Sequence, residues 1–95
     1  MSSILQHLPG QTRYVFQSDG VDVGLTDYRL IGHDIHITHT EIDPALRGGG
    51  LGAEMVQAVL DTIRSSTDHR VVAECPFVVA WLRHHPDYQD LEERR

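Results

Sequence analysis

A glycine-rich run, Arg47-Gly48-Gly49-Gly50-Leu51-Gly52, lies between a stretch that reads as a strand and one that reads as a helix. Glycines permit tight turns and close backbone approach by a ligand. The first N–H groups of a helix lack intrahelical partners and lie at the positive end of its dipole. Strand, turn and helix in this order form an anion cradle that fits a diphosphate, and they commit the chain to a mixed α and β architecture.

The pattern on either side agrees. Arg13-Tyr14-Val15-Phe16-Gln17 is rich in β-formers, Ser18-Asp19-Gly20 is a turn signal, and Val21, Val23 and Leu25 recur at period two, which predicts a hairpin. Gly32-His33-Asp34 marks another turn, and Asp34 to Ile42 is extended and β-branched until Pro44 disfavours helix at Asp43. Three antiparallel strands follow. From Leu51 the period becomes 3.6: Leu51, Met55, Val59 and Ile63, widened by Val56 and Leu60, face the sheet and leave Glu54, Gln57, Asp61 and Arg64 in water. Ser65 to His69 ends the helix. Arg70 to Cys75 reads as a strand parallel to the one before the helix, because a crossover joins them. Pro76 suits a helix start, and that helix runs through His84 until Pro86. Residues 1–12 are expected to be a loosely held lead-in and Glu92-Glu93-Arg94-Arg95 a frayed end of one domain spanning 1–95.

A formal charge of −6 argues against broad nucleic-acid binding, which needs a cationic surface, yet a nest of N–H groups can hold a small anion against that field. No apolar run reaches the length of a membrane span, and Met1 to Gly10 lacks signal-peptide form, so a cytoplasmic location is the expectation. All eight basic residues are arginine, so no lysine amine is available for self-acylation. The single cysteine, Cys75, excludes an internal disulfide and a cysteine-based zinc site.

Arg47, Gly50 and Gly52 match the Arg-x-x-Gly-x-Gly signature of the GCN5-related N-acetyltransferases (GNAT), and at this point the sequence resembles that superfamily. His39-Thr40-Glu41, Pro44, Arg47 to Gly52, Cys75-Pro76-Phe77 and His85-Pro86-Asp87-Tyr88 resemble, in order, its short single-domain branch. The absence of Gly-Lys-Ser or Gly-Lys-Thr weighs against a P-loop, and the missing Gly-x-Gly-x-x-Gly weighs against a dinucleotide-binding unit. The resemblance implies an α+β fold, mostly antiparallel, with a splayed parallel strand pair and packed helices. It implies that N–H groups from Gly48, Gly49, Gly50, Leu51, Gly52 and Ala53 hold the pyrophosphate of acetyl-CoA, that Arg47 adds a charged contact or fixes the turn, and that the pantetheine arm lies along Glu41 and Ile42 as a pseudo-strand.

Acetyl transfer needs an unprotonated nucleophile, a donor to the developing oxyanion and an acid for the departing thiolate. Cys75 ends the second strand of the V before a helix, whose N-terminus depresses a thiol pKa; it reads either as an acetyl acceptor or as a small buried hydrophobe. By period two Glu41 and His39 share a face with Ile35 and Ile37, while Thr38 and Thr40 face the other way. Glu41 suits the base by family analogy, and His39 because histidine titrates near neutrality; the alternative is a solvated strand surface. Two departures from the broader family stand out. Trp81 and Leu82 occupy the turn of the last helix where a tyrosine acid is usual, with Tyr88 beyond Pro86, and the chain has no room for the helices that wall the acceptor. An open acceptor face suits a protein tail or other macromolecular amine. His33, His36 and His39 do not converge on one face, and His84 and His85 diverge, so no metal is expected. The leading reading is an acetyl-CoA-dependent N-acetyltransferase acting on an exposed amine; the alternative is a non-catalytic acyl-CoA-binding or interaction module.

Overall fold

A computed structural model describes residues 3–95. Five strands form one sheet in sequence order: β1 (Ser3–Leu8), β2 (Arg13–Ser18), β3 (Val21–Ile31), β4 (Asp34–Ile42) and β5 (Arg70–Ala73). The first four pair antiparallel, and β5 runs parallel to β4. Helix α1 (Leu51–Ser66) makes the crossover between β4 and β5, and α2 (Pro76–Arg83) follows β5. Short 3-10 turns cover Pro9–Gln11, Pro44–Leu46 and Pro86–Leu91. The β2–β3 hairpin closes at Asp19 and Gly20, both with positive φ (51° and 82°), as a two-residue type I′ turn requires. The expected hairpins, the long helix and the α+β architecture are all present.

The core lies on one side of the sheet. Met55, Val56, Val59, Leu60 and Ile63, the predicted stripe of α1, pack on Tyr14, Phe16, Tyr28, Ile35 and Ile37, and α2 adds Val78, Trp81 and Leu82. The other face carries cross-strand ion pairs, Arg13–Asp27 and Arg70–Asp34 (each 2.7 Å) and His36–Glu74 (2.6 Å). Such pairs, screened by solvent, contribute little to stability. Among the described residues, no helix is long and apolar enough to cross a membrane.

Three expectations are corrected. Most of the predicted lead-in over 1–12 is strand and turn: Ser3 to Leu8 pair in full register with Ser18 to Arg13, and His7 stacks on Tyr14 at 4.3 Å and meets the Tyr28 hydroxyl at 2.7 Å. Met1 and Ser2 lie outside the described residues. The C-terminal end, expected to fray, is tied down at Arg94. Its guanidinium donates to the carbonyls of Thr67 (2.8 Å), Arg64 (3.1 Å) and His69 (3.2 Å), closing the C-terminus of α1, where the dipole favours a cation. Arg94→Met should therefore lower stability by about 1–2 kcal/mol in urea unfolding; a loss within error would mean that water replaces these contacts at no net cost.

The third correction concerns β4. Tyr28 pairs with Ile37 but Asp27 pairs with His39, so Thr38 is an extra residue, a β-bulge. Alternation resets there. Ile35 and Ile37 face the helices, whereas His39 and Glu41 stand on the solvent face with side chains 53% and 58% exposed, and Thr40 and Ile42 take the helix side. His39 and Glu41 thus share a face with each other but not with Ile35 and Ile37.

Candidate active-site cleft

The bulge coincides with the parting of two strands. Pairing of β4 with β5 runs from Asp34↔Arg70 to Ile37↔Ala73; the Glu74 and Cys75 N–H groups both donate to the Ile37 carbonyl (3.0 and 3.1 Å), and past that point the strands separate. The opening is a cleft of about 530 Å³, within the usual size of a ligand site. Thr40, Glu41 and Ile42 bound it on β4, Cys75 and Phe77 on the other side, and Arg47, Gly48 and the run from Gly50 to Ala53 close one end; Gly49, expected with them, does not border it.

That turn is built as a donor surface. Gly48 and Gly50 take φ of 87° and 82°, a region that costs other residues about 1–2 kcal/mol. Gly50 is the N-cap of α1, and the first intrahelical bond runs from the Glu54 N–H to its carbonyl at 3.1 Å. The N–H groups of Leu51, Gly52 and Ala53 therefore have no helical acceptor and border the cleft. Arg47 also borders it and forms no ion pair among the described residues. A Cβ on Gly52 would stand 3.0 Å from Phe77 Cζ and 3.6 Å from Ile42 Cγ1, so the absent side chain leaves room between the turn and the far wall. The residues present thus fit a diphosphate at the turn and an extended arm beside β4.

At the other end, Cys75 is the N-cap of α2 and is 7% exposed. Burial pushes its thiol pKa up, but the Thr40 hydroxyl and the N–H groups of Val78, Phe77 and Thr40 together outweigh that and hold it below the usual value. The Thr40 Oγ1 lies 3.4 Å from Sγ. Thr40→Val should move the thiolate absorbance transition to higher pH; a transition that stays in place would assign the lowering to the helix start alone.

His39 and Glu41 form a pair on the opposite side of β4, Nε2 to Oε1 at 2.9 Å, away from Cys75; of the two, Glu41 borders the cleft. The Glu41 and Ile42 backbone lines the cleft where a pantetheine pseudo-strand was expected. Tyr88 is engaged elsewhere. It is 8% exposed, its hydroxyl donates to Asp61 Oδ1 at 2.6 Å, and Arg64 stacks over its ring at 4.8 Å. The bond to Asp61 raises its pKa. Unbroken alternation would turn Thr40 away from Cys75, and only the bulge brings the two together; Phe77, which walls the cleft, carries no local signal of that position beyond its place in Cys75-Pro76-Phe77.

A family model described as GCN5-related N-acetyl-transferase matches residues 13–91. Among solved structures, a Bacteroides thetaiotaomicron protein assigned as an acetyltransferase of the GNAT family superposes with a TM-score of 0.53 at 21% identity, over 82% of this chain and 43% of that one. At that identity the likeness concerns the fold, and this chain spans less than half of that protein's length. No curated protein matches. The parted strands, the donor turn at the start of α1 and a family match that covers most of the chain agree: this chain belongs to the GCN5-related N-acetyltransferase family.

Proposed function

We propose that the chain transfers an acetyl group from acetyl-CoA to an exposed amine, on a protein tail or another macromolecule. The observation that carries this reading is the continuous cleft running from the N–H groups of Leu51, Gly52 and Ala53, which have no helical acceptor, to Thr40 and Cys75. The pyrophosphate sits on the turn beside Arg47, and the pantetheine amides pair with β4 along Glu41 and Ile42, where β5 has left that edge. The thioester then reaches the Thr40 and Cys75 end. The amine nitrogen attacks the thioester carbon, the C–S bond breaks, the sulfur leaves as CoA thiolate and takes up a proton, and the amine gives one up. Glu41 borders the cleft and pairs with His39 on the open face, so an amine approaching from that side meets the base there.

A second reading has one observation in its favour: Cys75 borders the cleft at the start of α2, with the Thr40 hydroxyl 3.4 Å from its sulfur, contacts that favour the thiolate. The Cys75 thiolate attacks the thioester carbon and the C–S bond to CoA breaks, CoA leaving as its thiolate; the amine then attacks the Cys75 thioester, the Cys75 thiolate is released, and the proton that the amine gives up passes to the CoA thiolate. Mass spectrometry after acetyl-CoA alone distinguishes the two, since this route requires an acetyl adduct that Cys75→Ser removes. Full activity in Cys75→Ser excludes it.

The overall proposal is tested by single-turnover release of CoA thiol with a panel of amines. Acceptor-dependent release supports it, whereas CoA binding with no acceptor-dependent release would leave a binding module.

A further inference from the structure

The turn between β3 and β4 meets the loop between α1 and β5 at the edge of the sheet farthest from the cleft along β4, roughly 25 Å from it at 3.3 Å per residue. Three groups converge there. One ligand atom each of His33, Asp68 and His69 lies within 4.8 Å of the other two. Their sequence positions conceal this, because His33 belongs to a hairpin turn and its partners arrive only after the crossover helix. We propose that these residues form a binding site for a divalent zinc-type cation, which would clasp the two loops together.

The chemistry of the donor set is the first reason. Two imidazoles and one carboxylate suit Zn2+, which takes three protein ligands with water in an open fourth position. Ligand atoms at about 2.0–2.2 Å from zinc stand roughly 3.3–3.6 Å apart in a tetrahedral arrangement, so closing from the present spacing needs only rotation of side chains that are exposed or half-buried. The second reason is how His69 is held. Its Nδ1 lies 3.1 Å from the His33 carbonyl oxygen, so Nδ1–H donates there and Nε2 keeps its lone pair for a metal, the arrangement that metal-ligating histidines commonly show. The third is that the loop is fixed before any ion arrives. Arg94 holds the carbonyls of Thr67 and His69, the Thr67 hydroxyl accepts from the His69 N–H at 3.3 Å, and the Arg70 N–H donates to the His33 carbonyl at 3.2 Å. Of the cations nearby, Arg70 is neutralised by Asp34 and Arg94 is turned to the main-chain carbonyls of Thr67 and His69, while the Asp68 carboxylate stands beside the imidazoles. His36 and His39, which by strand alternation do not converge with His33, are paired with Glu74 and Glu41.

The test uses full-length, tag-free protein freed of metal with a chelator and titrated with ZnCl2 by calorimetry, with Co2+ as a spectroscopic probe. The expected result is one Zn2+ per chain, a Co2+ visible spectrum of low coordination number, and at least a tenfold loss of affinity in each of His33→Ala, Asp68→Asn and His69→Ala. His84→Ala, remote in sequence and bonded to its own helix at Ala80, should bind as the parent does. With Zn2+ at about 100 times its Kd, the unfolding equilibrium should shift roughly 100-fold toward the folded state. Circular dichroism of the metal-free variants, each altered at a surface position, confirms that they remain folded. No saturable binding, or binding that survives any one of the three substitutions, overturns the proposal.

Discussion

Gly52→Val is expected to weaken acetyl-CoA binding roughly 100-fold, about 2.8 kcal/mol, while leaving the protein folded. The reasoning starts from the space that Gly52 leaves. A Cβ there meets the tip of Phe77 at 3.0 Å and Ile42 Cγ1 at 3.6 Å. Phe77 is 47% exposed, so its ring can swing outward and relieve the contact without disturbing the core. The valine methyl groups then occupy the space between turn and wall that the diphosphate needs, although the Gly52 N–H itself is kept. Calorimetric titration with CoA checks this, and thermal unfolding checks the fold. A Kd that matches the parent would remove the turn from the binding site and, with it, the main support for the proposed donor.

Gly24→Ala should act in the opposite sense, on stability first. Gly24 lies in β3 opposite Ile42, and an added Cβ would stand 2.6 Å from Ile42 Cδ1, 2.8 Å from the Glu41 carbonyl oxygen and 3.0 Å from Met55 Sδ. One of these neighbours is backbone and another belongs to a fully buried side chain, so neither yields as an exposed ring does. Overpacking of this kind costs about 3 kcal/mol, the upper end of its usual range. For a domain of this size the melting temperature should fall on the order of 15 °C. Because Ile42 and Glu41 also line the cleft, donor affinity should fall with it. An unchanged melting temperature would mean that β3 and β4 separate there at no cost, contrary to the continuous pairing from Gly24 to Asp27.

The two glycines show which parts of this protein can be read from its sequence. The turn at Arg47 to Gly52 was legible because backbone strain and free N–H groups leave a mark in residue type. So were the hairpin at Asp19-Gly20 and the stripe of α1, since turn chemistry and periodicity are local. Gly24 gave no such signal, because what forbids a side chain there is Ile42, eighteen positions on and brought opposite by strand register. The bulge at Thr38 was hidden for the same reason: one extra residue in an otherwise alternating strand leaves composition and pattern unchanged, yet it reverses which of Thr40 and Glu41 meets Cys75. Strand β1 was missed because Gln6 and His7 dilute its pattern and its ordering comes from β2. His33, Asp68 and His69 are brought together only by the crossover.

The parting of β4 and β5 also sets a gradient of local stability within one strand. Up to Ile37, β4 is held along both edges; beyond it, only β3 holds it. Main-chain groups of the far half that face the gap should open more readily than those of the near half, as segments with fewer bonded neighbours do. The more labile half of β4 would thus lie where the proposed ligand docks, and amide hydrogen exchange along β4 would report occupancy directly, residue by residue, without any need to know the acceptor.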